Sequence, residues 1–179
     1  AVNAAARFKD GTYPPQQIPT LQEVVDLAKG KAGLQIEIKV RADGSRYAGI
    51  ESKVVELIRR HDMIDQVVII SFNFPTLQEI KAHEPRLRTG ALASTAYFQS
   101  VGAGGPTAIA DDVKAIAADY MGVEKSLLSE KLVVELRKRG IGVGAWTVND
   151  PAEMRKLLKL NPDFITTDRP DVLRQVLGR

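Results

Sequence analysis

The sequence predicts an α/β fold built from repeated βα units. Three observations predict it. Short β-branched runs alternate with amphipathic stretches from end to end. Helix starts carry recognisable caps. No shift in composition interrupts the series, so the 179 residues read as a single domain, 1–179, without a linker.

The strand signals lie at residues 34–40, 67–72, 88–93, 118–123, 142–148 and 164–167. Helix signals lie near residues 20–29, 47–60, 76–83, 110–117, 129–139, 151–160 and 170–177. Thr20-Leu21-Gln22-Glu23 and Thr76-Leu77-Gln78-Glu79 each spell a capping box, and each follows a proline. Asp150 precedes Pro151, a good first helical residue. Ser129 suits the start of the helix that runs to Arg139, and Gly140 suits its left-handed end. The repeated Pro-Thr-Leu-Gln-Glu reflects shared capping physics rather than a functional repeat.

The first strand is the most informative. In Leu34-Gln35-Ile36-Glu37-Ile38-Lys39-Val40, alternation sends Gln35, Glu37 and Lys39 one way and Ile36, Ile38 and Val40 the other. A strand between two helices belongs to a parallel sheet covered by helices. A carboxylate and an ammonium are costly there unless paired or given a metal or anion to bind. Glu37 and Lys39 are therefore the first candidates for chemistry.

Strict alternation leaves two architectures, a doubly wound sheet or a (βα)8 barrel. No glycine-rich nucleotide turn follows a strand, which disfavours the first. The segment Gly102-Ala103-Gly104-Gly105 reads as a loop over a site. Polar residues gather toward strand ends: Glu37 and Lys39, Ser71 and Asn73, Trp146 and Asn149, then Asp168. Barrel enzymes keep their sites at that end. The expected fold is thus a TIM (βα)8 barrel with about six of its eight βα units. A typical barrel has about 250 residues, so the shortfall is on the order of 70. Residues 1–19 are irregular and lead straight into a helix, like a loop from the middle of a fold.

Composition excludes several classes. Hydrophobic residues make up 44% and charged residues 26%, as in ordinary globular domains. No apolar run is long enough to span a bilayer, so no transmembrane segment is expected. There is no cysteine, hence no disulfide framework and no thiolate metal site, though this does not choose a compartment. The net charge of +3 is a small excess of 25 basic over 22 acidic residues spread over many helices, so no nucleic-acid partner is expected. The densest cluster, Arg137-Lys138-Arg139, ends a helix, where cations suit the dipole.

Five segments in order resemble the glycerophosphodiester phosphodiesterase family. They are Ile18-Pro19-Thr20-Leu21-Gln22-Glu23-Val24, Leu34-Gln35-Ile36-Glu37-Ile38-Lys39, Ile70-Ser71-Phe72-Asn73, Ala145-Trp146-Thr147-Val148-Asn149 and Asp163-Phe164-Ile165-Thr166-Thr167-Asp168-Arg169-Pro170. The chain resembles the C-terminal two-thirds or more of such a protein. The resemblance implies a (βα)8 barrel that hydrolyses glycerophosphodiesters to glycerol 3-phosphate and an alcohol. It implies a divalent metal, Mg2+ or Ca2+, with Glu37 as one of three ligands, Lys39 beside the phosphate and Trp146 against the glycerol. Hard cations do take carboxylate oxygens, and an ammonium stabilises charge on a phosphoryl oxygen. From pattern alone Trp146 is equally a core residue. Ser71 is a further phosphate-binding candidate, with backbone satisfaction as its alternative.

The family's two catalytic histidines lie in segments that would precede this chain, as do the other two metal ligands. Only His61 and His83 occur here, both at expected helix ends on the far rim. No catalytic histidine is assigned, and the isolated chain is expected to be inactive. The alternative is a non-catalytic barrel-derived module that binds a phosphate ligand or a protein partner, its open sheet closed by self-association.

Overall fold

The computed structural model describes residues 3–7, 13–101 and 104–179. Six parallel strands form one sheet in sequence order: β1 (Leu34–Glu37), β2 (Val67–Ser71), β3 (Arg88–Ala93), β4 (Tyr120–Glu124), β5 (Gly142–Trp146) and β6 (Phe164–Ile165). Helices flank and join them: α1 (Leu21–Ala28), α2 (Ile50–Arg60), α3 (Phe74–His83), α4 (Thr95–Val101), α5 (Gly105–Ala115), α6 (Glu130–Lys138), α7 (Pro151–Leu158) and α8 (Pro170–Val176). An unreversed strand order is that of a barrel, whereas a doubly wound sheet reverses at a switch point.

The sheet is curled. Neighbouring strands lie about 4.8 Å apart, so β2 and β5 would be on the order of 14 Å apart in a flat sheet. Yet the rings of Phe72, just past β2, and Trp146, at the end of β5, meet with centroids 5.6 Å apart. The fold is therefore an incomplete TIM barrel of six strands.

The two faces of the sheet differ. On the outer face Val67, Ile69, Met121, Val123, Val143 and Ala145 are fully buried against helix residues such as Ile58, Ile80, Leu136 and Met154. Each such aliphatic side chain contributes about 1.5–3 kcal/mol of burial. On the inner face Val68, Ile70 and Trp146 are only half-buried. Glycines there make room for bulky neighbours. A Cβ on Gly144 would lie 2.4 Å from the Phe164 ring, and one on Gly122 3.0 Å from Leu92. Large and small residues thus interleave across strands as in a barrel interior.

Helix starts follow the expected chemistry in three cases. Thr20 and Glu23 close a capping box on α1, Ser129 caps α6, and Asp150 caps α7 through Ala152 N and Glu153 N at 2.9 Å each. Gly140 takes the left-handed conformation with φ 72° after α6. The α3 start differs from expectation. Asn73, not Thr76, is the N-cap, its side chain accepting from Thr76 N at 3.1 Å. Asparagine is among the strongest caps and sits just before Phe74 and Pro75, so the helix begins three residues earlier than Thr76 as N-cap requires.

Other boundaries shift too. The first strand is four residues, not seven, and it is an edge of the described sheet rather than a covered strand. The fourth strand runs two residues later than expected at its start, because Ala118 belongs to the turn that follows α5. Helix α4 was not expected from the sequence, and α5 begins at Gly105 rather than near residue 110. Of the glycine-rich segment read as a loop, Gly102 and Ala103 lie outside the described residues, while Gly104 and Gly105 open α5. Within residues 1–19, read as irregular, a short 3-10 turn spans Ala4–Arg7 and Asn3 bridges to Gln17. Residues 1, 2 and 8–12 lie outside the description.

Candidate active site

Alternation along β1 and its extension carries Gln35, Glu37 and Lys39 onto the inner face. There they line a cavity of about 250 Å3 with Phe72, Leu92, Trp146 and Thr166 among others. Glu37 Oε1 lies 3.5 Å from Lys39 Nζ. Lys39 is 75% exposed and Glu37 29%. The expectation of a buried charge pair is therefore corrected. With β1 at the edge of the curled sheet, the pair faces an open trough and bears little desolvation cost.

Opposite β1, the Trp146 ring meets Phe72 edge-on at 86°. The Trp146–Thr147 peptide is cis. The Trp146 indole N–H is buried and has no hydrogen-bond partner among the described residues. Asn149 holds the end of β5 to the segment after β6. Its amide donates to Asp168 Oδ2 at 2.9 Å, and its oxygen accepts from Asp168 N at 2.9 Å and Thr167 Oγ1 at 3.1 Å. Another rim cation, Lys125 just past β4, donates to Glu153 at 2.5 Å. That bond holds the Lys125 pKa above the ordinary lysine value.

The structure thus brings Glu37, Lys39 and Trp146 to one cavity. Ser71 is different. Its parity in β2 places it on the helix-covered face, 1% exposed. Its hydroxyl donates to Ile38 O at 2.7 Å and accepts from Asn73 N at 3.0 Å. Both partners are backbone groups, and Ser71 also lines a second opening of about 250 Å3 beside Glu37, Lys39 and Asn73.

The histidines lie where the sequence puts them, at helix ends on the opposite rim. His61 caps α2, with Nδ1 2.8 Å from Leu57 O and Nε2 3.0 Å from Asp26. His83 is the last residue of α3, 3.8 Å from Glu79. The Arg137-Lys138-Arg139 cluster is taken up by Asp163, Glu135 and Asp111.

Sequence reasoning missed Phe72. Its signal was present: Val68, Ile70 and Phe72 share one parity in β2, and that parity faces the trough. It also missed Glu51, a carboxylate only 1% exposed near the start of α2. Nothing in its helical pattern marks Glu51 as buried.

A divalent metal needs more oxygen donors than this set supplies. Among the described residues no three His, Asp or Glu side chains are gathered as a metal requires. Glu37 alone does not complete the six or more oxygen contacts of a hard cation. Nor is any helix among the described residues long and apolar enough to cross a membrane.

A curled parallel sheet with its polar groups at the C-terminal strand ends defines the barrel class of protein. Within that class the sequence profile of the glycerophosphoryl diester phosphodiesterase family matches residues 2–172, and the chain belongs to that family. It is 28% identical over 172 residues to a glycerophosphodiester phosphodiesterase of Caldanaerobacter subterraneus subsp. tengcongensis, covering 96% of this chain and 66% of that one. A solved structure from Agrobacterium tumefaciens str. C58, described as a glycerophosphoryl diester phosphodiesterase, superposes with a TM-score of 0.80 at 25% identity. It covers 89% of this chain and 64% of its own. An Oleispira antarctica phosphodiesterase solved with its product sn-glycerol-3-phosphate superposes with a TM-score of 0.71 at 22% identity, over 90% of this chain and 62% of its own. The chain thus spans just under two thirds of the length of these relatives.

Proposed function

We propose that this chain is the C-terminal part of a metal-dependent hydrolase that cleaves glycerophosphodiesters to glycerol 3-phosphate and an alcohol. One observation carries the reading: Glu37 and Lys39 share a single trough with Trp146 at the C-terminal strand ends. The product held by the Oleispira relative supports the same substrate class. In this reading Lys39 donates to phosphate oxygens and the Trp146 face packs on the carbon side of the glycerol. Burying an N–H without a partner costs about 1–3 kcal/mol, and such groups are uncommon in plain cores, which also favours a site role for Trp146.

Glu37 would be this chain's one ligand to a divalent metal, Mg2+ or Ca2+, which would supply stabilisation of phosphoryl charge. The remaining ligands and the acid–base pair come from upstream residues of the complete protein. The isolated 179-residue chain is therefore inactive. The test is an enzyme-coupled assay for glycerol 3-phosphate with glycerophosphocholine, using purified, mass-verified chain with Mg2+, Ca2+ or a chelator. No release above the chelated control is expected. Metal-dependent release overturns the inactivity. A complete protein that still releases no glycerol 3-phosphate from a panel of such diesters overturns the assignment.

A second reading, a non-catalytic module closed by pairing with another copy, is favoured by one observation. Phe72 is 48% exposed beside the open edge at β1. Sedimentation of the chain at micromolar concentration separates the two: a dimer favours the module, a monomer the enzyme fragment.

A further inference from the structure

The most deeply buried carboxylate among the described residues, Glu51, does not line the trough, yet it is joined to it. Glu51 Oε1 accepts from Arg46 at 3.2 Å and lies 3.1 Å from the Thr76 hydroxyl. Thr76 N donates to Asn73 Oδ1 at 3.1 Å, and the Thr76 hydroxyl, with one proton for two acceptors, lies 3.1 Å from that same oxygen as well as from Glu51. Asn73 N donates to Ser71 Oγ at 3.0 Å, and Ser71 Oγ donates to Ile38 O at 2.7 Å. Ile38 is the residue between Glu37 and Lys39.

The position of that last bond matters. The backbone pairing of β1 with β2 runs as far as Ile38 N, which donates to Ile70 O at 2.9 Å. Beyond it the next bond across the strands comes from a side chain, the Ser71 hydroxyl. An edge strand has no second neighbour to hold it, so this bond fixes the peptide that carries Lys39. Glu51 and Thr76 are 1% exposed, as is Ser71. Asn73 between them is half-buried, so it is at those three members that water cannot replace a lost partner without opening the fold.

We propose that Ser71, Thr76 and Glu51 are positioning residues of the candidate site: a buried hydrogen-bond relay from α2 through the start of α3 to Ile38 O sets how Glu37 and Lys39 are presented to the trough. The proposal rests on the reading of Glu37 and Lys39 as site residues, but the relay is read out at Ile38. None of the three lines the trough that holds Glu37, Lys39 and Trp146. Arg46 also contacts Glu79 on α3, so the relay begins where the β1–α2 loop is tied down.

The test is NMR amide exchange on the whole chain. Ser71→Ala removes the donor to Ile38 O, and the Ile38 amide is expected to exchange about tenfold faster, the loss of one net hydrogen bond. Its carbonyl carbon shift should move with it. Exchange in β4 and β5 should stay unchanged. Thr76→Val keeps the shape and removes the hydroxyl, and about fivefold faster exchange is expected at Ile38 although Thr76 does not touch it. Thr76→Ser keeps the hydroxyl and should return Ile38 to the parent rate, a rescue that loss of packing would not give. Unchanged Ile38 exchange in Thr76→Val, or equal effects of Thr76→Val and Thr76→Ser, overturns the relay. So does a uniform loss of protection through β1 to β5 in both Ser71→Ala and Thr76→Val. Titrating the unmodified chain with glycerol 3-phosphate and watching the Lys39 side chain tests the underlying site reading separately. A silent Lys39 overturns that reading even when the Ile38 exchange behaves as expected.

Discussion

The same five residues, Pro-Thr-Leu-Gln-Glu, occur at 19–23 and at 75–79 and do different work. In the first copy Thr20 is the N-cap of α1, and Glu23 closes the box by accepting from Thr20 N at 2.7 Å. Both side chains are exposed. In the second copy the helix begins upstream, at Phe74, and Thr76 is inside it and buried. Its hydroxyl meets Glu51 of α2, and Glu79 contacts Arg46. The upstream neighbours explain the split. Asn73 outcompetes Thr76 as a cap, while the first copy has Gln17 at the matching place. Phe74 packs on Tyr97 at 5.2 Å, while its counterpart Ile18 is 64% exposed. A local motif is thus an offer of hydrogen bonds, and the surroundings decide which are made.

The comparison breaks hardest at Glu51. Glu51→Ala leaves the Thr76 hydroxyl only Asn73 Oδ1 and Arg46 only Glu79, and about 3 kcal/mol of stability should be lost in urea denaturation. No residue of the first copy has an equivalent. Next, Thr76→Val should cost about 1–2 kcal/mol by the same measurement, since it leaves a buried carboxylate short of a donor. Thr76→Ser should cost less.

Capping gives smaller and more equal effects. Thr20→Ala and Asn73→Ala should each cost about 1 kcal/mol, seen as a lower urea midpoint with an unchanged slope. Equal costs for Thr20→Ala and Thr76→Ala would erase the distinction between the copies.

The smallest effect is a pH dependence in the first copy. The Thr20 backbone N–H, and then its hydroxyl, hold Glu23 below its ordinary value of 4.5. A depressed carboxyl stabilises the fold above its unfolded value, and the contribution is lost as pH falls through the lower folded value. Glu23→Gln should therefore be less stable than the parent at pH 7, with the gap closing below about pH 4.5. Thermal melts at pH 7, 4 and 3 measure it.

Much of the barrel was legible. The six strands recur at the expected places because β-branched runs between capped helices have few other ways to bury themselves. The inner-face parity of Glu37, Lys39 and Trp146 follows from strand periodicity alone. What escaped notice was non-local. Glu51 sits near the start of a helix like any solvated glutamate, and only the approach of α3 buries it. Helix α4 has no fully buried residue, and Tyr97, Phe98 and Val101 pack only partly against the core, so its apolar stripe is short and hard to read. Ser71 stands at a strand end as read, and one step of alternation sets its hydroxyl on backbone partners of the neighbouring segments.

By itself the sequence determined the order of βα units, most helix starts and the face on which Glu37 and Lys39 stand. These depend on periodicity and on contacts within a few residues. Only the tertiary structure decided that β1 is an open edge, that Phe72 meets Trp146 across the curl, and which Pro-Thr-Leu-Gln-Glu copy is a cap. Those outcomes depend on which distant groups arrive alongside, and burial then makes every unpaired donor or acceptor costly.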